Sequence, residues 1–178
     1  MRIKMDETAA LIIDYQERLV PAMHNKDELI RNSRILIEGL QVLGVPLIVS
    51  TQYKKGLKET IPEISEAASG AETIDKISFS CFDEEKIREA FKGRKTIIVC
   101  GIEAHVCVLQ TVIDLCAAGY HVVLVEDCID SRRENDKRIA LRRAEAEGAM
   151  LTTYEAILFE LTRYAGTDRF REISALVK

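Results

Sequence analysis

The chain has 178 residues, a formal net charge of −4 and an apolar content of 47%. This length predicts one globular domain over residues 1–178, and the composition is that of an ordinary soluble fold. Binding to the phosphate backbone of nucleic acid needs a positively charged surface, and the net charge here is negative. Nucleic acid is therefore not an expected partner.

Short runs rich in Val and Ile recur along the chain without alternating with polar residues, as in strands that are covered on both faces. The predicted strands are Leu11–Ile13, Leu47–Val49, Ile97–Val99, Val122–Val125 and a last short one at Ala149–Thr153. Helical patterns separate them, at Asp27–Leu43, Val106–Ala118, Glu134–Glu147 and Tyr154–Arg163. The alternation predicts an α/β fold: a three-layer α/β/α sandwich, Rossmann-like, with a mainly parallel central sheet of about six strands.

Ligands of open parallel sheets bind beyond the carboxyl ends of the strands, which selects candidate site residues without any motif. They follow the first four strands, at Asp14-Tyr15-Gln16, Ser50-Thr51-Gln52, Gly101–Cys107 and Glu126-Asp127. The least regular stretch, Gln52–Glu72, is expected to be a loop that covers a site.

Cys107 has the most distinctive context, because Ile97–Cys107 runs from a buried strand through a glycine turn into a helix. A thiol in the first helical turn lies where the helix dipole favours an anion, which suits a nucleophilic thiolate. The alternative is a small buried apolar side chain, a common fate of free cysteine. His105 lies only two positions away, and residues so spaced on a helix do not face each other, so a Cys–His pair here is not expected.

Other candidates carry two interpretations each. Asp14 ends the first strand and is either a general base for the thiol or a cap for nearby backbone N–H groups. Lys76 either lies beside a thiol and a carboxylate or is an ordinary solvated lysine. Gln16 and Gln52 supply amide groups for a substrate or are plain loop residues.

The cellular location is predicted from two absences in the sequence. The opening residues MRIKMDETAA hold no apolar run of signal-peptide length, and no stretch approaches the roughly 18 apolar residues of a membrane helix. The five cysteines show no CxxC pair or zinc-type spacing, so free thiols are expected. Both observations predict a cytoplasmic protein without a membrane partner.

With these residues assembled, the sequence resembles the isochorismatase-like cysteine hydrolase superfamily over essentially its whole length. The segments that carry the resemblance are Gly101–Val108, similar to the nucleophile motif, Leu11–Gln16, similar to the first-strand acid motif, and Lys76–Ser80, similar to the catalytic lysine segment. Leu151–Leu161 resembles the isochorismatase domain-containing branch, which is metal-free.

The resemblance implies a catalytic triad of Asp14, Lys76 and Cys107. It also implies a cis peptide between Glu103 and Ala104, which would turn the Ala104 N–H toward that of Cys107 and form an oxyanion hole from the two. Gln16, Gln52, Tyr53, Phe79 and Glu103 are then the candidate substrate-binding residues. Metal-binding members carry an Asp and two His after the second strand; Ser50–Lys55 has neither, so no metal or other cofactor is expected.

The resulting hypothesis is hydrolysis of a small carboxamide or related acyl compound through a thioester on Cys107. Two alternatives stay open: vinyl-ether cleavage of the isochorismatase type, with Asp14 as general acid, and a non-catalytic interaction protein. The resemblance further implies a homo-oligomer (dimer, tetramer or octamer). The apolar run Ile157–Phe159 is either its interface or part of the domain's own core.

Overall fold

The computed structural model describes residues 2–178 and places six strands in one sheet. They are β1 Thr8–Ile13, β2 Leu47–Gln52, β3 Glu72–Lys76, β4 Thr96–Ile102, β5 His121–Asp130 and β6 Met150–Thr152. Their order is β3-β2-β1-β4-β5-β6, and every neighbouring pair is parallel. This confirms the predicted α/β fold with its parallel central sheet.

Eight α-helices connect and flank the strands. They are α1 Lys26–Val42, α2 Lys54–Leu57, α3 Pro62–Ala67, α4 Glu85–Ala90, α5 Leu109–Ala117, α6 Glu134–Ala146, α7 Tyr154–Thr162 and α8 Asp168–Leu176. Single 3-10 turns lie at Met5–Glu7, Val20–Ala22 and Cys81–Asp83, and a π turn covers Ala104–Val108. No helix within residues 2–178 is both long and apolar enough to cross a membrane.

The sheet is buried on both faces, which explains why its strands are apolar without alternation. Along β1, Ala10 and Ile12 join the core cluster under α1, α3, α7 and α8. Leu11 and Ile13 point the other way, into the cluster under α4, α5 and α6. Each face therefore supplies one of the two apolar layers of the sandwich.

The structure differs from the predicted elements in three places. The predicted helix Val106–Ala118 begins instead as the π turn, and the α-helix proper starts at Leu109. The predicted loop Gln52–Glu72 contains α2 and α3. The edge strand β3 was not predicted because it buries only Ile74 and Lys76 of its five residues, which leaves no apolar run.

The apolar run near the C-terminus folds onto the protein's own core. Ile157 and Leu158 are completely buried, and Leu158 packs so closely on α1 that a Cβ added at Gly39 would lie 2.6 Å from its Cδ2. This is the second of the two predicted interpretations of Ile157–Phe159, and it removes Ile157 and Leu158 from the surface. All five cysteines are free, as predicted.

Candidate active site

The carboxyl ends of β1 to β4 bring together side chains that lie far apart in sequence. Asp14 follows β1, Ser50 and Gln52 belong to β2, Lys76 ends β3, and Cys107 follows β4. The ends of parallel strands meet at one edge of a sheet, so these groups converge there. Asp14 adopts a left-handed conformation (φ 56°), which aspartate tolerates better than most residues, and this stops β1 at Ile13.

Lys76 and Asp14 form an ion pair at the centre of this site. Lys76 Nζ lies 2.8 Å from Asp14 Oδ2, and both side chains are completely buried. The ammonium also donates to Gln52 Oε1 at 2.6 Å and to the carbonyls of Ser78 and Phe79 at 3.2 Å. Burial alone would lower the pKa of Lys76, but the negative charge of Asp14 leads the effects that outweigh it, so the pKa is raised.

Cys107 lies beside this pair and is 5% exposed. Its Sγ is 3.8 Å from Gln52 Oε1, the same oxygen that accepts from Lys76, so Gln52 links the thiol to the ammonium. Burial raises the pKa of Cys107, the Asp14 charge raises it further, and Lys76 lowers it only in part. Burial and the Asp14 charge thus favour the thiol, whereas the helix dipole favours the thiolate, so a base that takes the proton would assist reaction.

Ser50 and Cys81 complete the surroundings of Asp14, and sequence reasoning gave neither of them a role. Ser50 Oγ donates to Asp14 Oδ1 at 2.7 Å, and Cys81 Sγ donates to Ser50 Oγ at 3.4 Å. Burial raises the pKa of Cys81 to about 12. Ser50 was a candidate only as a residue that follows the second predicted strand. It faces the same side as Gln52 because side chains alternate along a strand, which could have indicated its role.

The segment between β4 and Cys107 differs in detail from the expected motif geometry. The cis peptide is Ile102–Glu103, so the prediction of Glu103–Ala104 is wrong by one residue. The N–H groups of Val106 and Val108 both donate to the Glu103 carbonyl, at 3.0 and 3.3 Å. This places Cys107 within a π turn, where residue spacing differs from that of an α-helix.

Glu103 is held by Arg132 and is not free to bind a substrate in this structure. Arg132 Nε and one of its terminal nitrogens donate to the two oxygens of Glu103, at 3.0 and 2.6 Å, and the Arg132 backbone N–H adds a third bond at 3.2 Å. Burial raises the pKa of Glu103, but these bonds lower it more, so it lies below the ordinary 4.5. The pair ties the chain before the π turn to the end of β5.

This pair predicts a pH-dependent part of the stability. A carboxylate with a lowered pKa stabilises the fold above its unfolded pKa and loses that contribution as the pH falls through the folded value. We expect the free energy of unfolding of the wild type to fall by about 1 kcal/mol more than that of Glu103→Gln when the pH is lowered from 6 to below 4.5. Urea titrations at each pH measure this difference. Glu63→Gln, at an exposed site, is the control; equal pH dependence in all three proteins would contradict the prediction.

The remaining predicted substrate-binding residues separate into buried and exposed ones. Gln16 is completely buried: its amide donates to the carbonyls of Gln52 and Lys58, and its oxygen accepts from the Gln52 N–H at 2.7 Å. Tyr53 and Phe79 are 51% and 53% exposed, and Ile77 between Lys76 and Phe79 is 79% exposed. We call Tyr53, Ile77 and Phe79 the apolar rim, since they adjoin the buried site residues in the chain.

Tyr53 is fixed at this rim by its backbone and by a glycine. It has a left-handed conformation (φ 41°), and its N–H donates to the Lys76 carbonyl at 2.7 Å. The Tyr53 ring lies directly over Gly56, so a side chain at that position would displace the ring. His105, by contrast, bonds Ser131 Oγ through Nδ1 at 2.9 Å, and no bond joins it to Cys107 among the contacts of residues 2–178.

Comparison with known proteins identifies the family of this chain. The isochorismatase domain model matches residues 8–156. Isc1, a secreted isochorismatase effector of Phytophthora sojae (strain P6497), is 34% identical over 99% of this chain and 87% of that protein.

Solved structures share the fold over nearly the whole chain. MAR1 ribonuclease from Caenorhabditis elegans has a TM-score of 0.95 and 36% identity, covering 99% of this chain and 92% of that one. The YcaC gene product from Escherichia coli, described as an octameric hydrolase of unknown specificity, has a TM-score of 0.89 and 24% identity, covering 99% and 87%. The chain therefore belongs to the isochorismatase family and is an isochorismatase-like hydrolase, as its sequence motifs predicted.

Proposed function

We propose that the protein hydrolyses a small carboxamide or related acyl compound through a thioester on Cys107. The observation that carries this proposal is that hydrogen bonds link Asp14, Lys76 and Cys107, which are all buried. Lys76 pairs with Asp14 at 2.8 Å, and Gln52 Oε1 joins Lys76 to the Cys107 thiol. A nucleophile, a carboxylate and a cation within one closed site are the parts that acyl transfer by cysteine needs.

In the proposed reaction Asp14 accepts the Cys107 proton as the sulfur attacks the carbonyl carbon. The thiolate that forms is stabilised by Lys76, which is charged throughout because its pKa is raised. The Cys107 N–H is proposed to hold the tetrahedral oxyanion. Because the cis bond precedes Glu103, the predicted turning of the Ala104 N–H toward it has lost its basis, and Ala104 stays a second donor only by the resemblance. Asp14 then returns the proton to the leaving amine, and water hydrolyses the thioester to free the acid and the thiol.

The geometry favours this scheme over vinyl-ether cleavage. That reaction needs Asp14 as a proton donor, but its two oxygens accept from the Lys76 ammonium at 2.8 Å and from the Ser50 hydroxyl at 2.7 Å, an arrangement that suits a proton acceptor. The buried Cys107 thiol also favours thioester chemistry, because vinyl-ether cleavage by Asp14 would not use the thiol.

A single-turnover experiment tests the proposal. Enzyme is mixed with a panel of small amides and esters, quenched, and weighed intact by mass spectrometry. We expect an acyl adduct on wild type that maps to Cys107, and an at least ~10³-fold loss of turnover in Cys107→Ala. Cys116→Ala, a half-buried thiol outside the site, is the matched control. An adduct that persists in Cys107→Ala contradicts the mechanism.

A second candidate rests on the name of one relative. The C. elegans structure with 36% identity is that of a ribonuclease, which makes cleavage of RNA a function to test here. The net charge of −4 does not favour it. Labelled RNA that stays intact in the presence of an excess of active enzyme excludes this candidate.

We also propose that the protein assembles with copies of itself and resides in the cytoplasm. The octameric state described for the E. coli YcaC product supports assembly, and the five free cysteines suit a reducing compartment. A monomer mass in sedimentation at working concentration would overturn the assembly.

A further inference from the structure

The pair Ser50 and Cys81 is an unusual choice of side chains for its place in the fold. Both are completely buried, and Cys81 belongs to the apolar cluster that also holds Ile13, Val108 and Val112. Buried polar groups cost free energy unless they are hydrogen-bonded, and an apolar side chain would fill either position more cheaply. Their hydrogen bonds lead to one place, the Asp14 carboxylate.

The direction of these bonds follows from counting protons. An ionised carboxylate only accepts, so the single Ser50 hydroxyl proton points at Asp14 Oδ1, 2.7 Å away. The Ser50 oxygen then has a lone pair free, and the Cys81 thiol donates to it at 3.4 Å. Cys81 thereby favours the rotamer of the Ser50 hydroxyl in which its proton points at Asp14. If the hydroxyl turned toward Cys81, its O–H would point at the S–H of Cys81, and the two donors would repel each other.

Thr111 fixes this chain of bonds relative to the nucleophile. The Cys81 N–H donates to Thr111 Oγ1 at 2.9 Å, and the Thr111 hydroxyl donates to the Cys107 carbonyl at 2.6 Å. The turn that carries Cys81 and the turn that carries Cys107 are thus joined through one side chain. Neither Ser50 nor Cys81 donates to the Cys107 sulfur among the bonds of residues 2–178.

We propose that Ser50 and Cys81 are positioning residues that hold the Asp14 carboxylate in the orientation in which it accepts the Cys107 proton, an inference that rests on the proposed function. Lys76 holds Oδ2 and Ser50 holds Oδ1, so both carboxylate oxygens are fixed and the plane cannot rotate. The titratable groups that face Asp14 are Lys76 from β3, Cys107 from the π turn and Cys81 from its 3-10 turn.

The test measures how fast Cys107 reacts with iodoacetamide between pH 4 and pH 9, which needs no substrate. A sulfur–carbon bond forms, iodide leaves, and the thiol proton passes to Asp14 and then to solvent. Peptide mapping separates Cys107 from the other four cysteines. The proteins are wild type, Asp14→Asn, Ser50→Ala, Cys81→Ala and Cys81→Ser, with Cys100→Ala as a buried thiol of the other core cluster.

A carboxylate that loses a donor can rotate away from the thiol proton that it accepts. We therefore expect Cys107 of Ser50→Ala to be labelled about tenfold more slowly than Cys107 of wild type at the same pH. Cys81→Ala slows the labelling in the same way but by less. Cys81→Ser keeps an O–H donor and retains the wild-type rate, as does Cys100→Ala. A purely structural role would change unfolding midpoints without slowing the labelling of Cys107.

The outcomes separate the two proposals. If Cys107 of wild type and of Asp14→Asn react equally at every pH, Asp14 is not the base, and the proposed function and the positioning role both fall. If wild type outpaces Asp14→Asn while the profiles of Ser50→Ala and Cys81→Ala superimpose on wild type, only the positioning role is overturned. Should Ser50→Ala not fold, by near-ultraviolet circular dichroism, the comparison of Cys81→Ala with Cys81→Ser decides alone.

Discussion

Lys76→Met should lose about 3–5 kcal/mol of the free energy of unfolding and at least ~10³-fold in turnover. The side chain it replaces is a completely buried cation that neutralises the completely buried Asp14. Methionine is an unbranched apolar side chain one atom shorter, and it leaves a buried carboxylate with only Ser50 as a donor from a side chain. It also removes the cation that we propose to stabilise the thiolate. Urea titration at pH 7 and the amide assay measure the two losses.

The double variant Lys76→Met/Asp14→Asn separates charge from packing. With the carboxylate gone no buried charge is stranded, so we expect the double variant to be more stable than Lys76→Met alone while staying inactive. A surface lysine of an exposed ion pair, Lys92 with Glu89, gives the reference: Lys92→Met should cost less than about 1 kcal/mol. If Lys76→Met costs no more than Lys92→Met, the buried pair does not stabilise the fold.

Gly101→Ala should be about as damaging, for a steric reason. Gly101 has φ +136°, and an added Cβ would lie 2.2 Å from the Ile13 carbonyl oxygen and 2.6 Å from the Ile13 Cβ. Ile13 is paired with Gly101 across β1 and β4, so relief would require the two central strands to part. We expect a loss of about 3 kcal/mol or more in the free energy of unfolding. Activity should fall too, because Ile13 directly precedes Asp14.

Gly119→Ala isolates the backbone part of that cost. Gly119 also has a positive φ, +87°, but nothing lies within 4 Å of its added Cβ. It should lose only about 1 kcal/mol and keep full activity. The difference between the two variants measures the clash with Ile13, and equal losses would show that the contact at Gly101 is not decisive.

The central part of the fold was predictable because it depends on burial. The four apolar runs became β1, β2, β4 and β5, and the stripe of Asp27–Leu43 became α1. Edge strand β3 escaped because its pattern is mostly exposed. Helix α8, which follows the predicted end of α7, was not predicted; it buries Ile173 completely and packs Leu176 partly buried against the core.

The structure brings the predicted Asp14, Lys76 and Cys107 together, while the residues that support them were not predicted. Asp14 and Cys107 stand out since a carboxylate and a thiol follow buried strands, and Lys76 came from the resemblance. Ser50 was selected only as one of the residues after the second predicted strand, with no role, and Cys81 carries no signal, because a thiol before a helix is common in cores. Glu103 and Gln16 were expected at a substrate; their donors and acceptors are instead taken by Arg132 and by backbone.

The bonds of Gln16 have a consequence for how a substrate is captured. Gln16 holds the carbonyls of Gln52 and Lys58 on either side of the Tyr53 turn, and its backbone pairs with Thr60. This turn is thus ordered before anything binds. Binding of a substrate beside this turn then carries no entropic penalty for ordering it. The rate of binding should be set by diffusion of the small molecule into the site and not by the closing of a flap.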